Sequence, residues 1–139
     1  MKISTKGRYS LMFLIDLAQH GDKGFIALND VAARKNISKK YLEQIVPILN
    51  KAGVLQANRG TKGGYCLAKS PDSISVGDIL KVTENIFMPE TAQTDPNEEV
   101  LSLFIWNGLD DVIEKYLDGI TIQDILDKQT VYYSNNYII

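Results

Sequence analysis

The chain is poor in the residues that redox, metal and covalent chemistry draw on. Its 139 residues hold one cysteine, one histidine, one tryptophan and four prolines. A lone Cys66 closes no intrachain disulfide and builds no all-thiolate metal cage. His20 and Cys66 stand far apart in sequence, with no carboxylate spaced to complete a catalytic triad. The glycines of Gly60–Gly64 follow no buried strand and open no helix, so they do not form a nucleotide loop, and no metal-ligand spacing appears. Neither an enzyme nor a bound metal is expected. Long apolar runs are missing too, since nothing approaches the roughly 18 residues of a membrane span. The basic start, Met1 to Arg8, precedes an apolar stretch interrupted by Asp16 and offers no small-residue cleavage site. A cytoplasmic protein is the expectation.

An excess of one charge sign is lacking as well, but only on average. The chain carries 15 Lys and Arg against 17 Asp and Glu, a net charge of −2. Residues 1–69 hold 12 of the bases and 4 of the acids, a balance of +8, while residues 70–139 hold 3 and 13, a balance of −10. Such a partition points to a polyanion-binding half beside an acidic half.

Periodicity organises the basic half. Ser4 or Thr5 caps a first helix carrying Tyr9, Met12, Phe13 and Leu17 at helical spacing, with His20 in its last turn and Gly21 as its stop. At that place His20 is a structural residue that gains from the helix dipole. Phe25–Leu28 reads as a brief extended piece, and Asn29 caps a short helix, Asp30–Arg34. Asn36–Ser38 forms a turn in which Ser38 caps a third helix, bent at Pro47 and ended by Gly53. Val54–Asn58 and Tyr65–Ala68 are strand candidates around a glycine-bearing turn, Arg59–Gly64. Three short helices followed by a basic hairpin are the layout of a winged helix-turn-helix.

The acidic half reads differently. Pro71 marks the boundary, Ser75 starts a further helix, and a polar connector runs from about Ile86 to Pro96. Asn97 then caps the longest helical pattern, Glu98 to about Leu117. Its apolar positions Val100, Leu103, Phe104, Trp106, Leu109, Val112, Ile113 and Tyr116 exceed what one wall of so small a monomer needs, which favours a dimerisation helix. Thr121 caps a last short helix, and an apolar tail runs from Val131 to Ile139. The expected fold is mainly α with a small β-hairpin wing: a winged helix-turn-helix over residues 1–70, then linker, dimerisation helix and tail over 71–139. The two parts make one compact unit whose helices swap or pair in a dimer.

Within that layout Ser38, Lys39, Lys40, Tyr41 and Gln44 occupy the turns that a recognition helix pushes into the major groove. Lysine and serine suit phosphates and base edges, and Gln44 suits adenine. Arg59, Thr61 and Lys62 sit at the wing tip, with Gly63, Gly64 and Tyr65 behind them, and Lys2 and Lys6 add to the basic start. An arginine on such a tip can enter a narrow minor groove. Two adjacent lysines alone would be a solvated helix face, but here helix, wing and charge partition agree. If Tyr65 and Leu67 face the core, Cys66 turns to the opposite face among cations that would favour a thiolate; a packed, inert cysteine is the competing reading.

Three stretches together resemble the IscR/CymR/NsrR family of bacterial winged-helix regulators: Met1-Lys-Ile-Ser-Thr-Lys-Gly-Arg-Tyr9, Ser38-Lys-Lys-Tyr-Leu-Glu-Gln44 and Arg59-Gly-Thr-Lys-Gly-Gly-Tyr65. Ser75-Val-Gly-Asp-Ile-Leu80 matches the family's next helix. The resemblance covers nearly the whole chain. It implies a homodimeric transcription factor, usually a repressor, that binds partly palindromic operators through residues 38–44 and the wing. Cluster-binding members carry three cysteines in the connector, whereas Ile86 to Phe104 here contains neither Cys nor His. Acids such as Glu90, Asp95, Glu98 and Glu99 are hard oxygen donors, so no iron–sulfur cluster is expected. The cluster-free, CymR-like branch that remains implies control of cysteine metabolism together with O-acetylserine sulfhydrylase. That enzyme captures partner segments ending in Ile, and Tyr137, Ile138 and Ile139 would supply one. A tail packed on the dimer helices is the alternative for these residues. Two other readings remain: a family member sensing redox state or a small ligand through Cys66 or a connector pocket, and a protein-interaction module without DNA function. The second leaves the basic half without a purpose.

Overall fold

A computed structural model describes residues 2–84 and 95–136. Most of the connector and the tail residues Tyr137, Ile138 and Ile139 lie outside the described residues.

Helix α1 (Thr5–Gln19) begins at Ser4, whose hydroxyl accepts from the Gly7 amide at 3.0 Å. It buries Phe13, Leu14 and Leu17. Gly21 is not its left-handed stop: His20 ends the helix, a single 3-10 turn follows, and the positive φ falls at Gly24. His20 Nδ1 lies 2.8 Å from the Asp16 carbonyl oxygen, in keeping with a structural role.

Helix α2 (Leu28–Lys35) starts earlier than the sequence suggests, after Ala27 and without a side-chain cap from Asn29. Ile26 exchanges both backbone hydrogen bonds with Tyr65 at 2.8 Å, so the chain is extended there and turns helical on leaving the pairing. Asn36, with φ of 53°, ends α2 in the left-handed region that Asn tolerates. Ser38 caps α3 (Lys39–Lys51) by accepting from the Tyr41 amide at 3.0 Å. The helix continues one turn past Pro47 and buries Leu42, Ile45, Val46 and Leu49.

Strands β1 (Leu55–Asn58) and β2 (Gly64–Leu67) pair antiparallel, with Leu55 opposite Leu67 and Asn58 opposite Gly64. Through Ile26 the hairpin is anchored to the start of α2. A Cβ at Gly64 would run into the Ile26 carbonyl, so only glycine permits this approach of two backbones.

Helix α4 (Val76–Thr83) opens with a reciprocal capping box between Ser75 and Asp78. The Ile122 amide donates to the Ile74 carbonyl at 2.9 Å, and the Val76 amide donates to that of Ile120 at 2.8 Å, which plants the last helix beside α4. That last helix, α7 (Ile122–Asn136), is fifteen residues long and includes Val131 to Asn136, the described part of the stretch that reads as a tail in the sequence. No Gly or Pro interrupts residues 122–136, and Thr121 with Asp124 caps its start. The long helical pattern also begins earlier than expected. Asp95, not Asn97, is its cap, and Pro96 takes the first helical position. The helix runs as α5 (Pro96–Leu101), a π turn (Ser102–Trp106) and α6 (Asn107–Asp118).

One core cluster joins Phe13, Leu14, Leu17, Val31, Leu42, Ile45 and Leu49 to Ile74, Ile79 and Ile122. It therefore draws on both sides of residue 70. No residue from Pro96 to Asp118 is buried.

Candidate nucleic-acid interface

The capped start of α3 leaves Ser38, Lys39, Lys40 and Gln44 exposed, while the opposite side of the helix is held in the core. Tyr41 sits between the two environments. It is half-buried, packs on the core and meets the Tyr9 ring edge-on at 5.5 Å, which ties α3 to α1. Tyr65 is likewise half-buried, with its ring edge-on to Phe13 at 6.3 Å. Their rings thus support the helix and the wing.

At the wing tip Arg59, Thr61 and Lys62 are exposed, and Gly63 and Gly64 are half-buried at its base. The tip closes on itself through the Gly63 amide, which donates to the Gly60 carbonyl at 2.9 Å. Helix and wing come together at a cleft of about 460 Å³ whose lining includes Lys39 and Asn50 of α3 and Asn58 and Arg59 of the wing. Thr61 and Lys62 open onto a second cleft with Lys23 and Asp30. Lys2 and Lys6 are exposed at the start of α1 and line neither cleft. Cys66 alternates with Tyr65 and Leu67 as expected: those two pack on the core, and the Cys66 Sγ lies 3.9 Å from Gln56 Oε1.

One contact behind this surface was not read from the sequence. Asp16 is fully buried on α1 and is gripped by Arg34 of α2, with Nε at 3.0 Å and Nη2 at 2.8 Å. The hydrogen bond to Asp16 holds the Arg34 guanidinium above its ordinary pKa. A lone acid among Phe13, Leu14, Ile15 and Leu17 was the available sign, since a carboxylate on a core face needs a buried partner. The pair fixes α2 on α1, and α2 with the Asn36 turn sets where α3 begins.

The long helix presents the apolar face expected of it. Val100, Leu103, Phe104, Trp106, Leu109, Val112 and Tyr116 are exposed, Phe104 to 81%, and Ile113 is half-buried. Leu101 and Ile105 join this surface although they lie off the helical spacing of the sequence reading. The π turn adds a residue to one turn and so spreads the apolar face around the helix. Lys81 of α4 pairs with Glu114 and Asp118 of α6, each at 3.1 Å. No helix among the described residues is long and apolar enough to cross a membrane.

Comparisons with known proteins agree with this architecture. A family model described as Rrf2, iron-dependent transcriptional regulator, matches residues 3–128. The HTH-type transcriptional regulator CymR of Bacillus subtilis (strain 168) is 40% identical over 125 residues, 90% of this chain and 89% of the relative. The HTH-type transcriptional regulator IscR of Erwinia tasmaniensis is 31% identical over 135 residues, 94% of this chain and 82% of the relative. Among solved structures, CymR of B. subtilis, described as its global cysteine regulator, matches with a TM-score of 0.77 at 38% identity. That match covers 92% of this chain and 98% of the other. IscR of T. potens matches with a TM-score of 0.73 at 38% identity, over 93% and 88%.

Taken as an iron–sulfur cluster, the iron in the family's description does not fit the thiolate donors of this chain. An iron–sulfur cluster needs several thiolates, and the single Cys66 lies on β2 while the single His20 is engaged with the Asp16 carbonyl. Among the described residues no group of three or more His, Cys, Asp or Glu could hold a metal ion. By sequence, fold and helix-plus-wing surface, the chain belongs to the Rrf2 family of transcriptional regulators and is a DNA-binding regulator, not an enzyme.

Proposed function

We propose that this protein is a homodimeric repressor of cysteine or sulfur genes that binds a partly palindromic operator without an iron–sulfur cluster. The observation that carries the reading is the cleft shared by the recognition helix and the wing, with Lys39 on one side and Arg59 on the other. In this reading Ser38, Lys39, Lys40 and Gln44 face the major groove, Arg59 to Lys62 reach along the minor groove, and Lys2 and Lys6 meet phosphates. Residues 1–70 form the DNA-binding part. Residues 71–139 carry the dimer interface through Phe104 and its exposed apolar neighbours, because a face of that size on a soluble chain calls for a partner. A two-fold dimer places its two recognition helices on half-sites one helical turn apart.

The finer part concerns signalling. The likeness to a protein named a global cysteine regulator supports the choice of genes. O-acetylserine sulfhydrylase, engaging Tyr137, Ile138 and Ile139, is the proposed co-regulator; deleting Ile139 should abolish that binding while the dimer persists, and unchanged affinity would sink it.

The main test is operator selection from a random DNA pool, followed by a salt series on the selected site. The logarithm of the binding constant should fall with log salt by roughly 0.9 for each phosphate contact. Arg59→Ala should cost on the order of 1–3 kcal/mol if the side chain enters the groove. Flat salt dependence, or no selected site, would replace the reading with that of a protein-interaction module.

A further inference from the structure

The start of α1 is held by a carboxylate from the far end of α4. Glu84 is the residue that ends α4. Its Oε1 accepts from the Ser4 backbone amide and from the Ser4 hydroxyl, each at 2.8 Å. The same hydroxyl accepts from the Gly7 amide at 3.0 Å. One serine oxygen therefore caps α1 and locks that cap to α4, across 80 positions of sequence. Gly7 completes the contact. It is buried in the first turns of a helix, where alanine would be the better helix former. A Cβ there would run into the Glu84 carboxylate and come within 3.1 Å of both Thr83 Oγ1 and Ile3 Cγ2. The glycine is thus explained by the close approach of α4, and the two features have one cause.

Lys2 and Lys6 bracket Ser4, and both are exposed. Residues 2–4 lie outside any helix or strand, so their placement depends on what ties them down. Ser4 is tied, and the carboxylate that ties it lies at the positive end of the α1 dipole, which favours it. We propose that Glu84 is a positioning residue for DNA binding: through Ser4 and Gly7 it fixes the first turn of α1, so that Lys2 and Lys6 meet the phosphate backbone from set places. The inference rests on the reading of those two lysines as phosphate contacts. Lys81, one turn earlier on α4, pairs with Glu114 and Asp118 of α6. The same short helix therefore joins the basic start of the chain to the helix that carries the exposed apolar face.

The test uses the full chain and its selected operator, with salt series and thermal melts for wild type, Glu84→Ala, Glu84→Gln, Gly7→Ala and Lys2→Ala/Lys6→Ala. Glu84→Ala should flatten the log–log salt slope by about 0.9 for each phosphate that Lys2 or Lys6 no longer meets, up to about 1.8 per protomer. Glu84→Gln should restore the wild-type slope, because its amide oxygen accepts both Ser4 bonds. Gly7→Ala should reproduce the flattening despite alanine's helix propensity. In the Lys2→Ala/Lys6→Ala background, Glu84→Ala should change the slope no further. If Glu84→Ala does not fold, Glu84→Asp, one methylene short of Ser4, carries the same comparison. A wild-type slope in Glu84→Ala, or effects of Glu84 and the lysines that add, would overturn the proposal even where melting temperatures fall. Wild-type protein without an operator shift would refute the DNA reading itself. A flattened slope in the lysine variant with none in Glu84→Ala would refute the latch alone.

Discussion

Arg34→Met isolates the clamp that holds the first two helices of the reading head together. Methionine keeps most of the stem packing and removes only the guanidinium fork. What is left is a fully buried Asp16 whose remaining cationic neighbour is His20 Nδ1, at 3.6 Å and charged only when protonated. Breaking a buried pair costs about 3–5 kcal/mol. Arg34 is itself 35% exposed, so water can enter where the fork stood, and the lower end, about 3 kcal/mol, is expected. For a domain of this length that corresponds to a drop of about 10 °C in Tm. The assay is thermal denaturation at a fixed protein concentration, since the Tm of the proposed dimer would depend on it. The double variant Asp16→Leu/Arg34→Met leaves no buried charge and should recover most of the loss. The pH sense follows from Asp16 raising the Arg34 pKa. The stability this adds is complete below the unfolded value and is lost only as pH climbs through the higher folded one, so it should hold throughout the neutral range. A drop below about 3 °C for Arg34→Met would refute the reasoning, because the pair would then be acting as an exposed one.

Other consequences are more local. Gly64→Ala sets a carbon against the Ile26 carbonyl and 2.9 Å from the Ala27 amide nitrogen, and neither backbone can swing away. It should cost about 2–3 kcal/mol and shift the wing, read by melting temperature; an unchanged Tm would contradict the packing. Lys81 is raised above its ordinary 10.5 by the hydrogen bond to Glu114, then by Asp118. Its contribution is full below that ordinary value and fades as pH rises through the folded one. With a side chain 35% exposed it is worth at most about 1 kcal/mol. The Tm gap between wild type and Lys81→Met should therefore persist at pH 8 and close in molar salt, and a salt-independent gap would show that packing dominates. Phe104→Asp, at the most exposed large apolar side chain among the described residues, should shift the sedimentation of the proposed dimer to that of a monomer, and sedimentation unaffected by it would place any interface elsewhere.

Much of the reading head is legible without coordinates because its determinants are close in sequence. Ser38 caps a helix whose amide lies three residues on, and Ser75 with Asp78 does the same for α4. Leu42, Ile45 and Leu49 mark the buried face of α3 by spacing alone. Where two start signals compete, local pattern fails. Asn29 resembles a cap, yet α2 begins at Leu28 because Ile26 is held extended by Tyr65. Asn97 is likewise displaced by Asp95 and Pro96, and the extent of α7 was hidden because its last turns are solvated and show no core face. The π turn has no local signature, because residues 103–106 are apolar without a gap and mark no single period.

Local rules therefore suffice for the order of elements, the basic helix-and-wing surface, the single cysteine and the apolar long helix. Each follows from composition, helical or strand period, or a cap within about four residues. It took the folded chain to reveal that Arg34 reaches Asp16 across 18 positions, that Glu84 reaches Ser4 across 80, and that Gly7 and Gly64 stand where neighbouring elements come too close for a Cβ. Those contacts depend on which faces meet once the core of Phe13, Leu42, Ile74 and Ile122 has closed, and no local rule carries that information.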